Sequence, residues 1–410
     1  MKRILFLLIL VLPILSWAKE YTLDDLINIG LEKSLYVKQE NVNYKNTASS
    51  LNSSYLSLLP SFNVNANKSN SDGEWNNASG GLGLNENLSL NESRYFSIRR
   101  AINNQKNSEL SLKNTRKQIA YTIFSKYLNI LESQKSLNIQ QENLKLQKKI
   151  HNQIQVQFDA GNKSLLDLKQ SEITLIDYEI SVNEAENNLE QLRKDLFSYL
   201  NIEDKHWNFS EPEFSIKKID NLYQENYSLK MERNSLKNSK LSLFQQKLDF
   251  FPTLSVGFNY NYNSNLGSDI LDLQKYDASY SISLSASYSI FDIWDKRESY
   301  KRSKRNLDFQ KLNLEDSERK NKDKFENLKK DIITLQKSLN LNSKKLKLSK
   351  ENLEMAQEQY KLGIISLLDL DRSNIDYFSA QLSNNNKYYE LIRKQEEMNL
   401  LLSQKILGKW

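Results

Sequence analysis

Side chains able to do chemistry are scarce in this chain. His151 and His206 are the only histidines, there is no cysteine, and one of the four methionines is the initiator. Clustered His and Cys of metal-ligand spacing are therefore absent, and four methionines make no thioether relay. Neither a phosphate-cradling glycine loop nor a G-x-S-x-G elbow occurs. His151 falls in a row of residues spaced by seven, which marks a packed or interfacial histidine. Asp and Glu pairs are frequent, but on helical faces such pairs are usually solvated surface. The residues thus point away from an enzyme, and no cofactor is expected. What remains is an acidic phrase that occurs twice: Phe158-Asp159-Ala160-Gly161-Asn162-Lys163-Ser164-Leu165-Leu166-Asp167-Leu168, and 202 positions later Tyr360-Lys361-Leu362-Gly363-Ile364-Ile365-Ser366-Leu367-Leu368-Asp369-Leu370. In each copy the Gly can end a helix at positive φ and the Ser can cap the next. Asp167 and Asp369 then lie in a first helical turn, where negative charge is favoured.

A phrase repeated at that distance makes the chain a duplication, so the positioning elements are read as two copies. Each copy opens with a short helical stretch, about 34–59 and 227–250, that stops at a proline, in Leu58-Leu59-Pro60 and Phe250-Phe251-Pro252. Proline blocks continuation and extends the preceding residue. The period then changes from 3.6 to 2. Residues 61–67 and 253–263 alternate apolar and polar without error. After a polar loop, so do 81–90, with one slip at Glu86, and 280–290. Runs of about ten residues match tilted strands that cross a bilayer. Aromatic residues Phe62, Tyr95, Phe96, Phe250, Phe251, Phe291 and Trp294 cluster at the junctions, where an interfacial belt would lie.

Two strands per copy, four in all, cannot stand alone in hydrocarbon. Unpaired edge N–H and C=O groups cost several kcal/mol each there, and closed membrane barrels need at least eight strands. Two chains would supply eight strands and three would supply twelve, with the wider lumen.

Long helical patterns follow the hairpins, at about 92–160 and 293–361, each roughly 100 Å long. Ile123, Ile130, Leu137, Leu144, His151 and Phe158 recur at seven-residue spacing, as do Phe325, Ile332, Leu339, Leu346, Leu353 and Tyr360. A second row, Leu341, Leu348, Met355 and Leu362, lies on nearly the opposite side. Two stripes suit a helix with a neighbour on each flank, as in a wall of helices closed into a tube; a two-stranded coil needs one seam. Helices at about 164–200 and 366–405 follow the turns, and 201–218 reads as an aperiodic linker.

The domain plan is then a leader at 1–18, a first repeat at 19–210 (β-hairpin 61–91, helical hairpin 92–200) and a second at 211–410 (β-hairpin 253–291, helical hairpin 293–405). The leader reading rests on Lys2-Arg3, the apolar run Ile4–Leu15, and small residues in Ser16-Trp17-Ala18. Without Lys2 and Arg3 the formal charge of +6 falls by two, too sparse for a nucleic-acid partner.

Taken together, the duplicated helix–hairpin–helix plan, Leu58-Leu59-Pro60, Phe250-Phe251-Pro252, Ser289-Ile290-Phe291-Asp292 and the two aromatic-x-x-Gly turns with Ser-Leu-Leu-Asp-Leu resemble the TolC family of outer-membrane efflux and secretion channels. The resemblance covers essentially the whole chain after the leader. It implies a mainly α fold with membrane β: a homotrimer with a twelve-stranded transmembrane β-barrel, four strands per protomer, joined to a twelve-helix periplasmic α-barrel. It implies a passive exit duct of a tripartite efflux or type I secretion system in the outer membrane of a Gram-negative bacterium. The partners would be outer-membrane lipid, a periplasmic adaptor and an energised inner-membrane pump. The turns, Gly161, Asn162, Lys163 and Ser164 with Gly363, Ile364, Ile365 and Ser366, would be adaptor-facing tips. For the aperture, the resemblance matches Tyr360 to the family's constricting tyrosine, Asp167 to its partner in the first copy, and Asp369 to the first member of an acidic ring. The second acidic position falls on Arg372, with Asp371 one residue earlier, and Ile365 stands where the family sometimes carries arginine. The rival reading is a membrane-anchored trimeric coiled-coil structural or adhesive protein, whose strands would be contiguous at the C-terminus.

Overall fold

The computed structural model of the protein describes residues 20–71, 74–89, 93–212, 214, 223, 225–267 and 277–409. The expected leader at 1–18 lies outside them, as do residues 90–91 of the first hairpin and loop residues 268–276. The elements run β1 (Glu20–Tyr21), α1 (Leu23–Lys33), α2 (Leu35–Leu56), β2 (Ser61–Ser71), β3 (Glu74–Ser89), α3 (Ser93–Asp159), α4 (Leu165–Leu200), β4 (Asn208–Phe209), α5 (Tyr227–Leu248), β5 (Thr253–Gly267), β6 (Asp277–Ser287), α6 (Ile293–Lys361) and α7 (Leu367–Leu401). The order α2-β2-β3-α3-α4 recurs as α5-β5-β6-α6-α7, so the duplication is a duplication of structure. Among the described residues no helix is long and apolar enough to cross a membrane.

Two compact units each draw on both repeats. The first takes the described residues within 20–34, 119–214 and 328–398. Its core includes Leu26, Ile27, Ile123, Phe124, Tyr127, Ile130, Leu196 and Leu200, all buried. Helix α1 starts at Thr22, whose hydroxyl accepts from the Asp25 amide at 3.2 Å, an N-cap with an acidic first turn. It docks through Gly30, where an added Cβ would lie 2.1 Å from Ile123 Cδ1. Strands β1 and β4 pair in parallel, Glu20 with Asn208 and Tyr21 with Phe209. The Tyr127 hydroxyl donates to the Tyr21 carbonyl at 2.9 Å, and Arg193 grips Asp204 at 2.8 Å. The expected linker therefore contributes a short strand and an ion pair.

The second unit takes the described residues within 35–118, 223–327 and 399–409, and it holds a four-stranded antiparallel sheet in the order β2-β3-β5-β6. The period-2 pattern explains its faces. Phe62, Leu84, Tyr260 and Tyr280 form one cross-strand row, and all four are exposed, Tyr280 by 77%. Asn85, Asn259 and Ser281 align on the other face. Glu86, the one slip in the alternation, lies near the end of β3, where Arg94 of α3 pairs with it at 2.9 Å. Strand β6 stops at Ser287, short of the expected 290. Ser287 pairs with Thr253, and the next position along β5 is Pro252, which has no N–H to continue the ladder.

Polar bonds join helices α2, α3, α5 and α6 of this unit in a row. Thr47 and Ser108 share a bond of 2.6 Å. Asn103 donates to Asn238 at 2.7 Å and Asn234 to Asn107 at 2.9 Å. Ser317 donates to Glu232 at 2.9 Å. Helix α7 ends at Leu401 instead of about 405, because Ser403 turns to φ 52 and the Gln404 amide closes on the Asn399 carbonyl at 2.8 Å. Lys117 then binds the Ser403 carbonyl, and the Ser403 hydroxyl accepts from the Tyr227 amide at 3.0 Å.

Candidate aperture at the paired helical turns

The first unit contains both repeated turns, and they are built alike. Gly161 has φ 77 and Gly363 φ 73, the left-handed conformation that ends a helix without a Cβ clash. The Asn162 amide donates to the Gln157 carbonyl at 2.8 Å, and the Ile364 amide to the Gln359 carbonyl at 2.9 Å. These bonds satisfy carbonyls that the last helical turn leaves open.

Beyond each glycine the Ser and Asp form a capping box. The Asp167 amide donates to the Ser164 hydroxyl at 3.1 Å, and the Asp167 carboxylate accepts from the Ser164 amide at 3.2 Å. Ser366 and Asp369 repeat the pair, each bond at 3.2 Å. The hydrogen bond from each serine hydroxyl, with the serine amide second, holds both carboxyls below the usual carboxylate range. Arg372 adds a smaller effect at Asp369. Both groups are thus anionic at neutral pH, Asp369 exposed and Asp167 half-exposed. Arg372 is exposed as well.

Between the turns an apolar cluster joins the two repeats: Ile150 and Ile154 of α3, Leu168 of α4, Leu353, Ala356 and Tyr360 of α6, Leu367 and Leu370 of α7. Ile365 packs against it, which suits an apolar residue at that position. Tyr360 is 6% exposed, and its hydroxyl finds no hydrogen-bond partner among the described residues. Lys163 of the other turn places its ammonium 4.6 Å from the Tyr360 ring centroid, a cation–π contact across the repeats. No hydrogen bond joins Asp167 to Tyr360 among the described residues; Asp167 faces Ser164.

Asp371 lies apart from Asp369. It is 7% exposed, and burial pushes its carboxyl up to about 6. Its Oδ1 has no partner among the described residues. One turn on, buried Asn374 donates to the Tyr178 hydroxyl of α4 at 3.2 Å, while its own Oδ1 is unpartnered. Gln147 of α3 is fully buried with neither amide atom bonded. The sequence reading missed Tyr178, Asn374 and Gln147. A signal existed for Asn374, which stands seven residues after Leu367 in a core row. His151 shares a 2.9 Å bond with Ser171, in keeping with a packed histidine. No group able to hold a metal ion occurs among the described residues.

The exposed apolar sheet face is thus joined in sequence to long helices that end in paired turns. The model of the outer membrane efflux protein family matches residues 31–201 and 219–404, and the chain belongs to that family. The fold is that of solved channels. The Campylobacter jejuni CmeC outer membrane channel is 18% identical, with 95% of this chain and 87% of that chain covered and a TM-score of 0.77. The Neisseria gonorrhoeae MtrE outer membrane channel in its open state is 17% identical over 93% and 89%, at 0.79. CusC is 13% identical over 93% and 92%, at 0.81. No curated protein sequence matches the chain. The TolC-like resemblance is thereby supported, and the channel reading stands over the adhesive stalk.

Proposed function

We propose that three copies of this chain assemble into a passive outer-membrane exit duct, fed by a periplasmic adaptor and an energised inner-membrane pump. The observation that carries this reading is the four-stranded sheet with its exposed apolar face. Its edges are β2 of the first repeat and β6 of the second. The strands alternate in direction, so β6 of one copy can continue the antiparallel ladder onto β2 of the next. Such head-to-tail joining closes a ring and removes edges that lipid forbids. Three copies give twelve strands, wide enough for water inside, whereas eight fill with side chains.

Helix α6 supports the same assembly. Phe325, Ile332, Leu353 and Tyr360 are buried, whereas Leu341, Leu348, Met355 and Leu362 are 58–75% exposed. The second stripe is apolar surface for a neighbouring copy to cover. In this reading Asp369 contributes one carboxylate per copy to a ring that favours cations. Tyr360, Asp167, Asp371 and Arg372 line or brace the aperture, and residues 161–164 and 363–366 meet the adaptor. Residues 1–18 direct export and are removed.

Planar-bilayer recording of the purified protein tests the proposal. The wild type is expected to conduct weakly and to prefer cations, and Asp369→Ala with Tyr360→Phe to conduct more. A water-soluble single-subunit species, or no conductance from either protein, overturns it.

A further inference from the structure

A groove of about 510 Å³ runs between α3 and α5 in the second unit, next to the sheet. Its lining includes Arg99, Lys106, Lys237 and Lys240, all exposed, together with Tyr95 and Phe244, exposed by 51% and 53%. No carboxylate lines it. Among the described residues none of the four cations is in an ion pair. Arg99 lies 5.4 Å from the Tyr95 ring and Lys237 reaches the Asn234 amide oxygen at 3.3 Å.

The adjoining groove on the same two helices provides the contrast. It carries Glu109 and Glu225 beside Lys230 and Arg233. Glu225 pairs with Arg233 at 3.0 Å, and Glu109 with Lys113 at 2.6 Å. Lys106 and Lys237 line that groove too, so the cations that share a lining with no carboxylate are Arg99 and Lys240, the two nearest the sheet. Arg99 and Lys240 thus present positive charge to the groove with no carboxylate in its lining, and an anion placed between them would be attracted to both.

The groove is also graded along its length. Strand β3 ends at Ser89 and α3 begins at Ser93; α5 ends at Leu248 and β5 begins at Thr253. At 1.5 Å per residue, Tyr95 and Phe244 lie within about 6 Å of the helix ends that face the sheet. Arg99 and Lys240 lie roughly 9–12 Å away, and Lys237 and Lys106 roughly 16–20 Å. The aromatic end thus adjoins the sheet's apolar band and the cationic end points away from it. That polarity fits an amphiphile with its tail toward the sheet and an anionic head beyond. Lys and Arg stems can reach several ångströms back toward such a head. Joining of copies through β2 and β6 leaves the groove open, because α3 and α5 are the inner pair in the row α2-α3-α5-α6.

We propose that this groove binds an anionic glycerophospholipid of the leaflet that faces the helices, with its phosphate between Arg99 and Lys240 and its acyl chains against Tyr95 and Phe244. The proposal rests on the membrane placement of the sheet, which is tested separately: flotation of the full chain with neutral phosphatidylcholine vesicles reads insertion without reading the groove.

The groove is tested by native mass spectrometry of the detergent-solubilised full chain, titrated with phosphatidylglycerol or phosphatidylcholine. Phosphatidylglycerol is expected to bind roughly tenfold or more tightly, since each cation near an anionic head contributes substantially. Arg99→Gln with Lys240→Gln should remove that preference, whereas Lys230→Gln in the compensated groove should keep it. Equal loss in both variants, or no preference in the wild type, overturns the proposal. So does competition by glycerol phosphate at the lipid's own concentration, which would mark a site for a soluble anion. If the double variant does not fold, the wild type at rising salt decides: exposed cations are screened, and a preference that survives high salt also overturns the assignment.

Discussion

Replacing Asp371 by Asn should stabilise the helical turns at neutral pH and flatten their pH dependence. Burial alone raises this carboxyl from 3.8 to about 6, so the folded form holds its proton more tightly than the unfolded one. Stability from such a raised carboxyl is greatest in acid and falls as pH climbs between the two values. Above the folded value, keeping Asp371 ionised in place costs ~3 kcal/mol, from about two units at 1.36 kcal/mol each. At pH ~4.5 the cost is only ~1 kcal/mol, because the folded carboxyl is then protonated and that pH lies less than one unit above the unfolded value. The wild type should therefore lose ~2 kcal/mol of local stability between pH ~4.5 and ~7.5, about a thirtyfold change in the opening equilibrium. The neutral amide of the Asp371→Asn variant removes that component and leaves every other titration in place. The assay is amide hydrogen exchange of residues 367–374, corrected for intrinsic rates and compared between wild type and variant at both pH values. If both proteins show the same difference between the two conditions, Asp371 does not titrate there and the reasoning from its burial is wrong.

Two further outcomes follow from backbone geometry and close approach. Gly363→Ala should cost ~1–2 kcal/mol from the left-handed backbone alone, since nothing lies within 4 Å of the new Cβ; faster exchange confined to residues 359–366 would show it, and an unchanged turn would refute it. Gly30→Val should cost ~1–3 kcal/mol by overpacking, because even a Cβ meets Ile123 Cδ1 at 2.1 Å and Leu200 Cδ2 at 3.0 Å; a denaturation midpoint equal to wild type would mean that α1 docks elsewhere in solution.

What was legible in the sequence followed from period and punctuation. Rows spaced by seven mark the C-terminal halves of α3 and α6, and alternation after Pro60 and Pro252 marks the starts of β2 and β5. Elements fixed by long-range partners were not legible. Glu86 looks like a fault in a lipid-facing row until Arg94 is seen beside it. Residues 288–290 keep alternating but have no ladder to join, because their partner strand starts after Pro252. Dipeptides such as Glu20–Tyr21 and Asn208–Phe209 carry no period at all, so β1 and β4 are set by each other and by Tyr127. Helix α1 did have a local signal, Thr22 followed by Asp24 and Asp25, which the turn-and-repeat reading passed over. For the aperture, spacing located both turns and put Asp167 and Asp369 in a first helical turn, but only geometry shows that Asp371 is the buried acid.

The parallel ladder between Glu20–Tyr21 and Asn208–Phe209 constrains the order of events during synthesis. The opening strand cannot find its mate until just over half the polypeptide has been made. Closing so long a loop costs roughly 5 kcal/mol in chain entropy, which favours its formation late, after the local helices have zipped. Until then the Tyr127 hydroxyl lacks its acceptor on Tyr21. A nascent or truncated chain that stops before Asn208 would carry its first strand as an unfastened thread, open to proteolysis, and completion of the first repeat would tie it down.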